Sequence, residues 1–424
     1  MKLLKFSELL RVYGKIGLMS FGGPAGQIAL MHRVIVEEKN WLSEKEFLNA
    51  LSFCMLLPGP EAMQLATYSG WRLRGVSGGL ISGLLFMLPG AVVVLGFAIV
   101  YALYGSTHGL AALFLGIKGA VLVIVLEALG KVVRKSLKTK ASWVTAGLSF
   151  FALFFLNVPF PIIILIAAFA GFISPSKVEA QKQQSKLSVP ILQTCKTAAL
   201  WIALWILPLG LVAGLSTQEV LGQLGVFFSK LAMVTFGGAY SVLAYMAQDA
   251  VTAKGWLSAA EMMDGLGLAE TTPGPLILVT EFVGFLAAAR IDDSFNFGLG
   301  LLGASVTLWA TFMPCFLWVF VGAPYIDWLS SKPRLTKALS LISAAVVGVI
   351  LNLSLWFSLH VFFREVAQTY FGLFNFWVPE VASIDIHALG LSLAAAIILF
   401  WLKKSILLTL IISAVLGFAL SFLF

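Results

Sequence analysis

Charged residues are scarce in this 424-residue chain: Asp, Glu, Lys and Arg make up 11% of it, whereas 60% is hydrophobic. Soluble globular proteins carry about 25% charged residues, so the composition excludes a water-soluble domain. The charges are bunched between apolar stretches long enough to cross a bilayer, which predicts an all-α polytopic membrane protein in contact with membrane lipid. The net charge of +8 does not indicate a nucleic-acid partner, because the cations lie in short loops beside these stretches.

Histidine and cysteine are also rare, with four and three copies, and no pair has the spacing of metal ligands. We therefore expect no metal site, no disulfide framework and no cofactor. No phosphate-binding loop or nucleophile motif is present either, so an enzyme is not indicated. The residues concerned are His32, His108, His360, His387, Cys54, Cys195 and Cys315.

Nine apolar stretches are each long enough for one crossing of the hydrocarbon. They lie near residues 8–31, 46–69, 76–104, 108–133, 192–214, 220–248, 263–289, 297–321 and 335–360. Two longer stretches, 141–174 and 386–424, are interrupted at Asn157 to Pro161 and at Lys403-Lys404, so each is predicted to fold back as a pair of short spans. Nine single spans and two pairs give thirteen crossings.

The positions of Lys and Arg predict the orientation, because cations in short loops stay on the cytoplasmic side. With the N-terminus inside, 20 of the 28 cations face inward. This predicts a protein of the cell (inner) membrane whose N-terminus is cytoplasmic and whose C-terminus is external; a re-entrant first hairpin between His32 and Lys45 is the alternative topology. The predicted division is a first membrane repeat (1–174), a cytoplasmic linker (175–191), a connecting helix (192–214) and a second membrane repeat (215–424).

The chain also repeats itself at a shift of 215 residues. From Lys15 to Pro60, aligned without a gap with Lys230 to Pro275, 16 of 46 positions are identical. Each repeat has about six crossings or half-crossings, and the single connecting helix would then insert the second repeat upside down. Inverted repeats are typical of secondary transporters, which place a substrate site between the repeats.

Two copies of one tripeptide, Pro58-Gly59-Pro60 and Pro273-Gly274-Pro275, lie within otherwise apolar spans. Proline removes a backbone donor and blocks the preceding turn, so each span must break there. A broken helix at membrane depth is tolerated where its backbone faces protein or water, and its N-terminal end suits an anion. Because the same break recurs in both repeats, we predict a substrate site at these residues; a packing kink is the alternative.

Paired glycines and charged residues within the spans are further candidates. Gly22-Gly23 and Gly237-Gly238 let a backbone or a substrate approach closely, although close helix packing explains them equally well. Charges within spans are costly and therefore suggest function. The substrate-binding candidates of this kind are Lys15, Lys230 and Lys118, of which the first two are also placed to reach the membrane surface. The candidates for coupling or gating are Glu61, Glu270, Gln64 and Arg72.

Several separated motifs, in order, resemble the chromate ion transporter family in its two-domain form. They run from Phe21-Gly22-Gly23-Pro24 through Trp41-Leu42 to Pro58-Gly59-Pro60-Glu61 and Gln64, and again from Phe236-Gly237-Gly238 through Trp256 to Glu270-Thr271-Thr272-Pro273-Gly274-Pro275. Ala239 stands where the family often has a third glycine. The resemblance implies export of chromate from the cytoplasm and chromate resistance, with sulfate as a similar competitor.

Electrostatics favours export over uptake. A dianion that leaves a cell with an interior potential of −100 mV gains about 4.6 kcal/mol, at about 2.3 kcal/mol per charge. Uptake would need at least two coupled cations, and the carboxylates beside the breaks form no repeated pair to carry them: Glu61 aligns with Leu276, and Glu270 with Met55. An uptake system or an anion channel of the same fold remains the alternative function, and a homodimer is an open alternative for the oligomeric state.

Overall fold

The computed structural model describes residues 4–21, 23–105, 107–174, 190–236, 239–291, 295–326 and 333–422. The helices of the first part of the chain are α1 (Phe6–Met19), α2 (Gly23–His32), α3 (Glu44–Cys54), α4 (Glu61–Tyr104), α5 (His108–Ser136), α6 (Lys140–Phe154), α7 (Phe160–Ile173) and α8 (Ile191–Leu215). Those that follow are α9 (Glu219–Val234), α10 (Ala239–Gln248), α11 (Ala259–Thr271), α12 (Val279–Ala289), α13 (Phe297–Gly322), α14 (Pro333–Phe362), α15 (Ile386–Ala396) and α16 (Ile406–Leu420). Two strands, β1 (Val366–Phe371) and β2 (Phe374–Pro379), lie between α14 and α15.

The long apolar helices confirm the predicted class, an all-α polytopic membrane protein. Within the described residues, five helices are long and apolar enough to cross a membrane: Glu61–Tyr104, Gly109–Ser136, Ile191–Leu215, Phe297–Tyr325 and Arg334–Phe362. Shorter apolar helices include α6, α7, α12 and α16. The inverted arrangement of the repeats and the number of crossings stay predictions. The predicted linker lies outside the described residues, apart from its last two, Pro190 and Ile191.

The predicted interruptions of the two longest stretches are confirmed. The first stretch breaks between α6 and α7, where Asn157 has φ +53°, and the second breaks before α16, where Lys403 has φ +50°. The predicted boundary between spans 46–69 and 76–104 is a sharp turn inside α4 at Gly75, which has φ +65°. Beyond this turn the chain folds back on itself. Gly79 lies so close to Thr67 that a Cβ placed on it would be 3.0 Å from the Thr67 carbonyl oxygen.

Two other sequence predictions need correction. The stretches 8–31 and 220–248 are not continuous spans, since α1 ends at Met19 and α9 ends at Val234, each a few residues before a new helix begins. The β-hairpin was not predicted either. Its strands pair antiparallel from Val366 opposite Pro379 to Phe371 opposite Phe374.

The helices group into two compact units, each of which draws on both halves of the sequence. Unit 1 comprises residues 1–98, 175–239 and 272–336, and unit 2 comprises residues 99–174, 240–271 and 337–424. Glycines allow close helix packing in unit 1, where Gly284 of α12 meets Gly303 and Thr307 of α13. In unit 2, Gly116 of α5 meets Ser413 of α16 in the same way.

Candidate functional site

The first helix of each repeat ends at a buried hydroxyl residue in unit 1. Ser20 directly follows the last residue of α1, and Thr235 directly follows the last residue of α9; the two are equivalent positions at the shift of 215 residues, and both are fully buried. The Ser20 hydroxyl donates to the carbonyl oxygen of Ile16 at 2.6 Å, and the Thr235 hydroxyl donates to that of Leu231 at 2.6 Å. Both helices therefore end in the same local structure, which leaves the backbone carbonyls of Ser20 and Thr235 to find other donors.

Each of those carbonyls accepts a hydrogen bond from the Pro-Gly-Pro break of the other repeat. The Gly59 amide donates to the Thr235 carbonyl oxygen at 2.8 Å, and the Gly274 amide donates to the Ser20 carbonyl oxygen at 3.0 Å. Because proline has no N–H group, glycine supplies the one backbone donor of each tripeptide. We call this pair of hydrogen bonds the reciprocal junction. Such an exchange between equivalent residues is what a two-fold relation between two copies produces.

Glycine is required at the centre of both breaks. Gly59 has φ +124° and Gly274 has φ +90°, backbone conformations that residues with a side chain rarely adopt. A Cβ on Gly59 would also lie 2.7 Å from Gln64 Nε2 and 2.9 Å from Cys315 Sγ. At Gly274 the contact is looser, because a Cβ would lie 3.0 Å from the terminal Cδ1 of Leu278.

Two buried glutamine side chains donate hydrogen bonds to backbone carbonyls of the breaks. Gln64 Nε2 donates to the Pro58 carbonyl oxygen at 2.7 Å, and Gln27 Nε2 donates to the Gly274 carbonyl oxygen at 2.6 Å. The described part of the chain offers no hydrogen-bond donor to the Oε1 atom of either glutamine. Sequence reasoning overlooked Gln27, because the equivalent position in the second repeat is Val242 and the repeat alignment therefore gave no signal.

The helix starts after the two breaks determine what an anion would meet. α4 begins at Glu61, directly after Pro60, and the other break leads through one 3₁₀ turn, Leu276–Leu278, into α12. Since the junction uses both glycine amides, the donors left for an anion are the first amides of α4 and those of Leu276 and Ile277, because the Leu278 amide already donates to the Pro275 carbonyl oxygen at 2.9 Å.

A carboxyl group stands close to each of these helix starts. Glu61 is the first residue of α4, and Glu281 is the third residue of α12. Glu281 is only 2% exposed, and the described residues provide no partner for its Oε2 atom. An ionised carboxylate at either helix start would oppose a dianion, so anion binding there requires that these carboxyls be neutral or turned away.

Three of the predicted charged candidates have exposed side chains in unit 1. Lys15 on α1 and Lys230 on α9 are exposed. Arg72 is also exposed, and its guanidinium group lies 3.4 Å from Glu46 Oε1. A role for these three residues in substrate binding or gating stays a prediction.

The other candidates lie in unit 2 or outside the described residues. Lys118 Nζ lies 3.4 Å from Asp264 Oδ2, a partner that the sequence did not reveal, and Glu270 is buried at the end of α11. Of the paired glycines, Gly22, Gly237 and Gly238 lie outside the described residues. Gly23 begins α2 with φ +70°, and no atom would contact a Cβ placed on it.

The fold and the junction together define a multi-pass helical membrane protein in which each Pro-Gly-Pro break of an internal repeat hydrogen-bonds to the end of the first helix of the other repeat. The family model of the chromate transporter matches residues 7–172 and 222–418, one segment within each of the two repeats predicted from the sequence. This chain belongs to that family.

Curated relatives match most of the chain. The chromate transport protein of Pseudomonas aeruginosa is 29% identical over 357 residues, which cover 82% of this chain and 80% of the relative. The chromate transport protein of Cupriavidus metallidurans is 28% identical over 353 residues, 81% of this chain and 80% of the relative. No solved structure matches the chain significantly.

Proposed function

We propose that this protein is a secondary active transporter that exports chromate and similar tetrahedral oxyanions, such as sulfate, across the inner membrane and thereby confers chromate resistance. Membership of the chromate transporter family supports the substrate. The reciprocal junction is the observation that carries the mechanism, because it joins the two repeats at the helix breaks predicted to form the anion site. The names of the relatives describe the same substrate.

In this proposal the two repeats are inverted, and the junction is the element that rearranges during transport. The two hydrogen bonds are equivalent under the repeat relation, so a conformation that loosens one of them has a counterpart that loosens the other. In an inverted pair these two conformations open to opposite sides of the membrane, as alternating access requires.

The anion is held by backbone donors at the breaks. The first amides of α4, and those of Leu276 and Ile277, lie at the positive N-terminal ends of the helical segments that start at the breaks. Glu61 and Glu281 then act as gating or coupling groups, since the site accepts a dianion only when they are neutral or displaced. Export itself needs no coupled ion, because the membrane potential supplies about 4.6 kcal/mol for a dianion at 100 mV.

Uptake coupled to protons is the competing function. The buried carboxyl of Glu281 favours it, because such a group can carry a proton through an apolar region. Uptake of a dianion against the membrane potential would require at least two protons per anion. With two protons the step is electroneutral, and with more it is driven by the potential in the inward direction, so neither case shows the voltage-driven outward movement expected for export.

Reconstitution into proteoliposomes at set membrane potentials tests the proposal. We expect saturable movement of chromate towards the positive side and inhibition of that movement by sulfate. Replacing Pro58 and Pro273 with Ala should abolish the flux while the protein remains folded. Pro208→Ala, at a proline inside α8, is the matched control and should keep the flux. The proposal fails if chromate and sulfate neither move nor compete, and current that is unsaturable would identify a channel instead.

A further inference from the structure

A cluster of three ionisable side chains, Tyr101, Lys118 and Asp264, lies inside unit 2. Lys118 Nζ lies 3.4 Å from Asp264 Oδ2, and the Tyr101 hydroxyl donates to the same oxygen at 2.8 Å. The Asp264 side chain is 4% exposed and that of Lys118 is 20% exposed. Lys118 is ten residues past the start of α5, about 15 Å along the helix, so the charges lie well inside it.

The two carboxyl oxygens of Asp264 differ in their contacts. Both donors converge on Oδ2, whereas Oδ1 is buried and finds no partner among the described residues. An ionised carboxylate can accept several hydrogen bonds on each oxygen, and a buried ion pair that only stabilises a fold is expected to have both oxygens satisfied. The bare Oδ1 is therefore the atom that has room for a proton.

The repeat indicates that this acid is not required by the fold. Asp264 aligns, within the stretch that needs no gap, with Asn49 of the first repeat, and Asn49 is exposed. An ion pair that the repeated unit needed for folding should recur at the equivalent position. The acid instead occurs once, as expected for a site that acts once in each transport cycle.

We propose that Asp264, Lys118 and Tyr101 form a proton-binding site, in which a proton from water adds to Asp264 Oδ1 and leaves Lys118 as an uncompensated cation. The cluster is neutral before protonation and carries one positive charge afterwards, so proton uptake would favour an anion in its vicinity. Release of the proton to water restores the ion pair. Coupling of this step to anion movement rests on the proposed function, whereas proton binding itself does not.

Charged and titratable groups on the surrounding elements are few. α11 also carries Glu261, which is half-buried, and Glu270. The next charges on α5 are Glu127 and Lys131, which pair with each other at 2.7 Å. α16 packs against α5 and α11 and has no titratable residue, whereas α15, which also packs on α5, contributes His387 near its start.

Infrared spectroscopy of the full-length protein in lipid tests proton binding without any transport assay. The C=O stretch of a protonated carboxylic acid should grow as the pH falls, and Asp264→Asn should remove that contribution. Glu127→Gln, which removes the half-buried carboxyl of the other ion pair on α5, is the matched control and should keep it. Identical spectra for the wild type and Asp264→Asn throughout the titration, or a contribution from Asp264 that does not change with pH, would overturn the proposal.

Two milder variants test the geometry in case Asp264→Asn folds poorly. Tyr101→Phe removes one hydrogen bond to the charged form, so the proton affinity of Asp264 should rise about tenfold. Lys118→Met removes the counter-charge and should increase the protonated fraction at every pH. No change of the titration in either variant would contradict the assignment.

The coupling is tested with a pH-sensitive dye in proteoliposomes during chromate movement. We expect a dye signal for the wild type and its loss in Asp264→Asn, with the signal retained in Glu127→Gln. Chromate movement by the wild type without a dye signal would refute coupling. If the wild type moves no chromate, the proposed function fails, and the infrared titration alone decides for or against the proton site.

Discussion

Replacing Gly59 with alanine tests the reciprocal junction at its tightest point. Alanine at φ +124° is strained by about 1–3 kcal/mol, and its Cβ would lie 2.7 Å from Gln64 Nε2 and 2.9 Å from Cys315 Sγ. Relief of these contacts moves the Gly59 amide away from the Thr235 carbonyl, which costs a further 1 kcal/mol or so. The variant should therefore lose about 2–4 kcal/mol, or roughly a hundredfold in the population of the junction.

The assay combines the thermal unfolding midpoint with chromate flux in proteoliposomes, and both should fall. Gly14→Ala is the matched control, because Gly14 lies in α1 of the same unit and no atom is within 4 Å of a Cβ placed there. Gly274→Ala should be the milder counterpart, since the tightest contact of its Cβ is with the flexible end of Leu278 at 3.0 Å and its backbone neighbours lie at 3.4 Å or more. Wild-type stability and flux in Gly59→Ala would refute the reasoning.

Three further variants test other features of the fold. Gly90→Ala should lower flux and stability, because its Cβ would collide with the carbonyl oxygen of Pro273; unchanged flux would show that this approach is not needed. Gly116→Val should destabilise unit 2, measured as a lower unfolding midpoint, because a side chain there meets the backbone of a neighbouring helix. A hydrogen bond to Glu44 at 2.6 Å raises the pKa of His32. Protonated His32 therefore stabilises the folded protein in acid, and this contribution to the free energy of unfolding should be lost as the pH rises through the raised pKa. Unfolding midpoints at several pH values should show this loss in the wild type and not in His32→Gln.

The sequence predicted the membrane class and the principal breaks because their causes are local. Apolar length determines which helices can cross a membrane, and proline blocks a helix wherever it stands. The turn at Gly75 and the breaks at Asn157 and Lys403 could be anticipated in the same way, since they interrupt apolar stretches with polar residues or glycine.

The contacts of the site could not be predicted because they join distant parts of the chain. Gly59 and Thr235 are brought together by the pairing of two repeats, and no local pattern shows which carbonyl a glycine amide will meet. The partner of Lys118 is likewise on another helix, at Asp264. Equivalent positions were visible in the alignment, but their exchange of hydrogen bonds was not.

The β-hairpin was missed for a different reason. Its two runs, Val366–Phe371 and Phe374–Pro379, are rich in aromatic and β-branched residues and are separated by Gly372 and Leu373, a pattern that favours a hairpin. In a chain so apolar, the same residues resemble the flank of a membrane span. Composition therefore masked a local signal that would be clear in a soluble protein.

The most direct test of the central claim is an experimental structure with a heavy tetrahedral dianion such as tungstate bound. We predict the anion at the Pro-Gly-Pro breaks, within hydrogen-bonding distance of the first-turn amides of α4 or of Leu276–Leu278. An anion bound elsewhere, with both breaks enclosed by apolar side chains, would contradict the account.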